Sequence, residues 1–242
     1  MGPDAMPRRR PHLRYGSAML TLLAVSLALS ANPPAPSVPA PAPPAVDREI
    51  FVPIFNGKDL TGWTGARGEA PQGYVVEDGA IVCLPDGRNL YTAREYGDFV
   101  LRFRFQLTPG ANNGIGVRTP NEGDAAYEGL EIQVLDNSAE KWAGLKPWQF
   151  HGSIYGIAAA GRRDALKPVG EWNEEEIEVR GRRVKVTLNG VVLVDVDLDE
   201  ATKSGTLSGQ AHPGVKRSRG HLCFCGHGDR VAFKDLEVRE LR

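Results

Sequence analysis

Three apolar segments of the sequence carry polar residues whose side chains are suited to acid/base chemistry. The first segment ends with Arg118, the second carries Glu131 and Gln133 between aliphatic residues, and the third ends just before His227. If the three segments pair as neighbouring strands, these side chains line one groove. A carboxylate and an imidazole there would serve as general acid and base, and a guanidinium would stabilise a developing anion.

Each of these residues also has a structural interpretation that the sequence leaves open. Glu131 and Gln133 fit the solvent-facing side of an antiparallel sheet. Arg118 could serve only to pair with Glu131. His227 stands in a Gly-His-Gly turn, where a histidine is more often a turn residue than a catalyst.

Alternating hydrophobicity predicts that these residues are positioned by strands. Phe99–Leu107 alternates apolar and polar residues along its whole length, and the stretch 177–196 reads as a three-stranded meander with a turn at Asn189-Gly190. Further strands are predicted at 73–77, 80–84, 113–118, 129–135, 153–157, 220–226 and 231–241. Residues 136–149 are predicted to form a long loop over one end. Some ten short strands without a long amphipathic helix predict an all-β fold, a β-sandwich or jelly roll.

Charge and length narrow the class of protein further. The chain has 242 residues with 29 Lys and Arg against 30 Asp and Glu, a formal net charge of -1. Such a balance gives no electrostatic reason to expect nucleic acid as a partner. Three cysteines are few for a disulfide scaffold, and their odd number excludes complete pairing within the chain.

The N-terminus reads as an export signal followed by a spacer. Four arginines between positions 8 and 14 precede the apolar run Ala18–Ala31, which is too short to span a bilayer, and the small residues Ala28 and Ser30 suit a signal peptidase. We therefore predict a signal peptide over 1–31, a Pro/Ala-rich polyproline II linker over 32–46 and a β-sandwich domain over 47–242. The mature protein is expected in the periplasm or outside the cell, without lasting membrane insertion. The alternative is an uncleaved membrane anchor.

Several short stretches, taken in order, resemble the 3-keto-disaccharide hydrolase domain family, which was long known only as a domain of unknown function. They are Phe55–Trp63 (FNGKDLTGW), Glu77–Gly79, Tyr96–Phe99, Asn113–Ile115, Tyr127–Asp136 (YEGLEIQVLD), Gly170–Asn173, Leu188–Gly190 and Gly226–Asp229. The resemblance runs from about Ile50 to Leu241. It implies a concanavalin-like, laminin G-like sandwich of two curved antiparallel sheets with the site on the concave face. One departure is Cys225, which stands where the family usually has Gln.

The resemblance implies cleavage of glycosidic bonds in sugars already oxidised to a ketone at C3. The ketone acidifies the C2 hydrogen, so that C2 proton abstraction permits β-elimination of the C1 substituent, and hydration of the enone follows. The substrate partner is then a carbohydrate, and a sugar 3-oxidoreductase must act upstream. Such a site needs a base near C2, donors for the enolate oxygen and an acid for the leaving oxygen.

These requirements lead to a set of role assignments. Glu131 or His227 is the base, Arg118 and Gln133 stabilise the enolate, and Asp136 assists the leaving group or water. No cofactor is certain, but a divalent cation held by Glu131 and Asp136 could take the place of Arg118. Substrate contacts are also assigned, and these fall on Asn113, Tyr155 and Trp172.

Two other functions compete with this one. A lectin-type carbohydrate-binding module would use aromatic platforms and polar contacts without any acid/base set. An ordinary glycosidase would use two carboxylates, for which Glu131 and Asp136 are the candidate pair, and it would cleave the unoxidised disaccharide.

Overall fold

A computed structural model describes residues 50–241, which lie within one compact unit, Asp47–Arg242. The predicted signal peptide and linker lie outside the described residues. The strands are β1 Val52–Pro53, β2 Trp63–Thr64, β3 Tyr74–Glu77, β4 Ala80–Cys83, β5 Leu90–Tyr96, β6 Phe99–Leu107, β7 Asn112–Thr119, β8 Leu130–Leu135, β9 Trp172–Arg180, β10 Arg183–Leu188, β11 Val191–Asp197, β12 Gly220–Phe224 and β13 Val231–Glu240. Two short helices accompany them, α1 Ala125–Glu128 and α2 Leu198–Thr202. Within residues 50–241, no helix has the length and apolar character needed to cross a membrane.

The strands form two antiparallel sheets. The larger has eight strands in the order β11-β10-β9-β6-β13-β4-β3, with β1 also paired to β13. The smaller has five strands in the order β2-β5-β12-β7-β8. The expected all-β sandwich of two antiparallel sheets is therefore confirmed.

The core lies between the inner faces of the two sheets. Leu101 and Phe103 of β6 are buried, while Arg102 between them is exposed, as the alternation in this segment predicts. Across the interface, Phe224 of β12 stacks on Phe233 of β13 with ring centroids 4.1 Å apart. Because these two rings belong to different sheets, the stack joins the sheets directly.

The meander and its turn follow the sequence signal. β9, β10 and β11 are consecutive antiparallel neighbours, and β10 and β11 are joined at Asn189-Gly190. Both turn residues have positive φ, 48° at Asn189 and 82° at Gly190, as a type I′ turn requires. The side-chain amide of Asn189 also donates to the carbonyl of Ala165, so the turn holds the preceding loop.

Two strand predictions fail for identifiable reasons. Residues 153–157 are not a strand, since the chain turns there with positive φ at Gly152 and Gly156 and forms only isolated bridges through Ile154. Conversely, β5 was not predicted. Its pairing with β12 shifts register between His221 and Cys223, and such a bulge breaks the alternation on which the sequence argument depends.

The structure also corrects the expected position of Arg118. This residue has φ 52°, so its side chain leaves the alternation of β7, and it is 1% exposed. Its guanidinium donates to the carboxylate of Asp98 at 2.8 Å and to the carbonyls of Gly97, Gly181 and Arg217 at 2.8–3.3 Å. Arg118 therefore clasps turns from both sheets at one end of the sandwich, and it neither lines the groove nor pairs with Glu131.

The substitution Arg118→Met should destabilise the fold strongly. It would remove the donor to three partly buried carbonyls and to the carboxylate of Asp98, and the expected loss in free energy of unfolding is about 3 kcal/mol. Urea denaturation measures this loss. As a control, Arg183→Met removes an exposed pair with Asp195 and should cost less than about 1 kcal/mol. Equal losses in the two variants would show that Arg118 is not a clasp.

Candidate functional site

A pocket of about 310 Å³ opens on the face of the smaller sheet that points away from the core. Its polar lining consists of Asn112, Asp124, Glu131, Gln133, Gln149 and His227. Its apolar and aromatic lining includes Tyr127, Leu135, Trp142, Leu145 and Tyr155. The volume is at the lower end of the range for small-molecule sites.

Strand alternation in β8 places two of the predicted residues in this pocket. Leu130, Ile132 and Val134 are completely buried in the core between the sheets. Because successive side chains of a strand point to opposite faces, Glu131 and Gln133 must point outward. The predicted groove positions of both residues are confirmed by the pocket lining.

The neighbouring strand β7 makes room for the carboxylate of Glu131. Gly114 of β7 pairs with Gln133 of β8, and a Cβ atom on Gly114 would lie only 1.9 Å from Oε1 of Glu131. The carboxyl group of Glu131 therefore lies flat against bare backbone. The nearby Gly116 also faces outward, as its position opposite Ile115 and Val117 predicts.

Glu131 contacts His227 directly. The two atoms Nε2 of His227 and Oε1 of Glu131 are 3.1 Å apart, and because a carboxylate can only accept, the imidazole nitrogen donates. The Glu131 side chain is 5% exposed, whereas that of His227 is 41% exposed. The hydrogen bond that His227 donates to Glu131 raises the pKa of His227 above its ordinary value, and this outweighs the opposing effect of burial.

Gln133 is joined to a residue that the sequence argument missed. Its Nε2 atom donates to Oδ1 of Asn112 at 2.6 Å, and both side chains line the pocket. The expected contact, Asn113, is instead completely buried, and its side chain accepts from the backbone N–H of Gly114. The alternation with Ile115 already carried this signal, since it places Asn113 on the core face and Asn112 on the pocket face.

Tyr155 lies in the pocket as predicted, and aromatic neighbours surround it. Its ring meets Trp148 edge-on at 4.9 Å and Tyr127 edge-on at 6.3 Å. Its hydroxyl accepts from Nε2 of Gln149 at 3.1 Å. Burial raises the pKa of Tyr127. This aromatic wall comes from α1 and from the loops around it, where strand periodicity gives no information.

Asp136 is not brought to the pocket. It lies against a separate cavity, and its carboxylate accepts from the backbone N–H of Gly110 and from both the backbone and the hydroxyl of Ser138 at 2.6–3.0 Å. Burial raises the pKa of Asp136, but these hydrogen bonds outweigh it and hold the pKa below its ordinary value. The structure thus gives Asp136 a role in holding loops rather than a place beside Glu131.

Trp172 is also outside the pocket. It is the first residue of β9 in the larger sheet, where Lys234 lies 4.1 Å and Arg104 6.0 Å from its ring. These cations cover the ring on the outer surface of the sandwich. The predicted substrate contact at Trp172 is therefore corrected, because the smaller sheet carries the pocket.

The three cysteines are free and buried. Cys223 and Cys225 share a face, with their sulfur atoms 3.9 Å apart, as strand spacing predicts. Cys225 does not line the pocket, although its backbone N–H donates to the carbonyl of Gly114. The residue that departs from the family pattern therefore lies outside the pocket lining and contacts β7 through its backbone.

Within residues 50–241, no three His, Cys, Asp or Glu side chains come together as a metal-ligand cluster. The ligand pair assigned to a divalent cation, Glu131 and Asp136, is split between two cavities. The residues present do not fit that ion at that place.

Fold and site together define a concanavalin-like β-sandwich with a carboxylate–imidazole pair in an open pocket on its smaller sheet. The chain belongs to the family described as the 3-keto-alpha-glucoside-1,2-lyase-like domain, whose model matches residues 51–239. The resemblance seen in the sequence motifs is thereby confirmed.

Relatives of known name or structure agree with this assignment. A protein named 3-keto-disaccharide hydrolase from Bacteroides thetaiotaomicron is 26% identical over 233 residues, which cover 81% of this chain and 80% of the relative. A solved structure of a candidate glycosyl hydrolase from Parabacteroides distasonis ATCC 8503 is 29% identical with a TM-score of 0.70, covering 79% of this chain and 94% of that one. A Bacillus subtilis protein with a galectin-like fold, 11% identical with a TM-score of 0.52, covers 79% of this chain and 94% of that one and shows the shared fold alone.

The substitution Gly114→Ala should disable the site while leaving the fold intact. Its φ permits alanine, but the added methyl group would push the Glu131 carboxylate away from His227. We expect a loss of about a hundredfold in turnover of a cleaved substrate and a fall in the pKa of His227 measured by NMR titration. Gly144→Ala, where nothing lies within 4 Å, is the control. An unchanged pKa of His227 in Gly114→Ala would refute this packing argument.

Proposed function

We propose that the mature protein cleaves glycosidic bonds of 3-keto sugars by C2 proton abstraction, β-elimination and hydration. The observation that carries the proposal is the contact between the buried carboxylate of Glu131 and the half-exposed imidazole of His227 in the pocket. Membership of the family and the name of the Bacteroides relative support a glycoside-cleaving enzyme of this kind.

His227 is the better candidate for the base. Nε2 of its ring is committed to Glu131, so Nδ1 is the nitrogen left to take the C2 proton. Glu131 would then stabilise the imidazolium that forms and hold the ring in place, as a carboxylate does for the histidine of other acid/base pairs. The contact with Glu131 raises the pKa of His227, which makes its imidazole a stronger base.

The amides beside the pair supply donors for the enolate oxygen. Gln133 and Asn112 are hydrogen-bonded to each other, which orients both amide groups toward one another and fixes them in the pocket wall. In this proposal Asn112 takes the role that the sequence argument gave to Arg118. Preorganised amide donors of this kind stabilise a developing oxyanion without reorganising during the reaction.

The chemistry requires a partner enzyme and a suitable location. A sugar 3-oxidoreductase must first oxidise C3, because an unoxidised glycoside has no acidic C2 hydrogen. The predicted signal peptide over 1–31 supports a location in the periplasm or outside the cell. The substrate would therefore reach the enzyme without entering the cytoplasm.

A lectin-type module is the second candidate function. The aromatic wall around Tyr155 would suit sugar binding in either case. A binding module needs no acid/base pair beside its ligand, whereas here a carboxylate and an imidazole in direct contact line the pocket itself. The Glu131–His227 contact therefore favours an enzyme.

The decisive test compares a disaccharide with its 3-keto derivative, each with the purified mature protein and with or without a chelator. We expect cleavage of the keto sugar alone, unaffected by the chelator, with solvent deuterium entering at C2 in D₂O. Cleavage of both sugars would indicate an ordinary glycosidase. Binding of sugar without any cleavage would indicate the lectin, and chelator-sensitive cleavage would require a metal ion.

The pH dependence of kcat/KM identifies the base. If His227 is the base, the rate rises with pH through the raised pKa of the imidazole, because only the neutral ring accepts a proton. Glu131→Gln should lower the rate about a hundredfold or more and move that rise to lower pH, since the contact that raises the pKa is lost. His221→Asn removes an imidazole outside the pocket and is the control. A rate that falls with pH through the pKa of His227 would make Glu131 the base.

A further inference from the structure

The leaving oxygen needs a proton, and the residue expected to supply it is absent from the pocket. Asp136 lies against another cavity with its carboxylate already accepting three hydrogen bonds. Resting on the function proposed above, we propose that Tyr155 is the catalytic acid that protonates the leaving oxygen and then activates water for the hydration step.

The hydrogen bond from Gln149 determines where the phenolic proton points. Nε2 of Gln149 donates to the oxygen of Tyr155 at 3.1 Å, so the hydroxyl acts as acceptor on that side. Its own proton must therefore be directed elsewhere, and the pocket that Tyr155 lines is the open direction. The oxygen of Gln149 is meanwhile held by the backbone N–H of Lys146, which fixes the orientation of the amide.

The position of Tyr155 next to the acid/base pair is built into the backbone. The N–H of Tyr155 donates to the carbonyl of Glu131 at 2.9 Å, which ties the loop to β8 beside the pair. Trp148 and Tyr127 meet the Tyr155 ring edge-on and restrict its rotation. The Tyr155 hydroxyl is thereby held in one position, as a proton donor to the leaving oxygen must be.

The proton balance closes over the two steps. In the elimination, the base takes the C2 proton, the C2–H electrons form the C1=C2 bond, and the C1–O pair leaves with the proton of Tyr155. In the hydration, the phenolate takes a proton from water as the oxygen adds to C1, and the protonated base returns a proton to C2. Both groups end as they began, and the net reaction is hydrolysis.

The test measures how cleavage depends on the leaving group. A 3-keto disaccharide needs a proton on its leaving oxygen, whereas a 3-keto 4-nitrophenyl glycoside does not. For Tyr155→Phe we expect a loss of about a hundredfold or more on the disaccharide, with KM unchanged and the nitrophenyl substrate cleaved at nearly the wild-type rate. Equal losses on both substrates would overturn the proposal. If the wild-type protein cleaves neither, the proposed function itself has failed.

Two further variants keep the test decisive. Tyr127→Phe removes the neighbouring hydroxyl, and selective loss on the disaccharide in this variant instead of Tyr155→Phe would assign the acid to Tyr127. Gln149→Glu keeps the acceptor for Lys146 but offers Tyr155 a carboxylate, which should draw the phenolic proton away from the substrate. This isosteric variant should reproduce the selective loss even if Tyr155→Phe folds poorly, and wild-type behaviour in it would contradict the assignment.

Discussion

The carboxylate of Glu131 reaches His227 because β7 offers it bare backbone at Gly114. Any side chain there would occupy the space of Oε1, so one glycine sets the position of the acid/base pair. That position in turn depends on β8, whose inner face is locked into the core by three aliphatic residues. Burial of the inner face also sets the register of β8, since a slip of one residue would expose the aliphatic side chains and bury two polar ones.

Three buried charged groups, Arg118, Asp136 and Glu131, differ in how many hydrogen bonds they make. Arg118 donates four hydrogen bonds and Asp136 accepts three, with backbone groups and neighbouring side chains as partners, and these bonds tie turns and loops to the sheets. Glu131 has one partner, His227, whose ring remains two-fifths exposed. A group whose capacity is filled stabilises the fold, whereas a group with capacity left toward a pocket can act on a ligand. The number of hydrogen-bond partners therefore distinguishes the structural residue Arg118 from the pocket residue Glu131 more clearly than residue type does.

Loops complete what the smaller sheet begins. The strands supply the carboxylate and the amide pair, while Tyr155, Trp142 and Tyr127 come from α1 and the irregular segments around it. Backbone hydrogen bonds link the two parts, from Tyr155 to Glu131, from Gln133 to Ser153 and from Gly152 to Gln133. Functional side chains on loops held against a rigid sheet are a common arrangement, because the sheet fixes positions and the loops vary in shape.

Period-two alternation and local turn chemistry can be read from one sequence, and they predict the sandwich, most of its strands, the Asn189-Gly190 turn and the outward direction of Glu131 and Gln133. The sequence motifs also identified the family to which the chain belongs. Which polar residues share a pocket depends instead on how the strands and loops pack together. A positive φ turned Arg118 away from it, and the order of strands put Trp172 on the other sheet. The folding of distant loops brought Tyr155 and Gln149 beside the pair. Such placements depend on contacts between residues far apart in the chain. Local patterns in a single sequence do not predict those contacts.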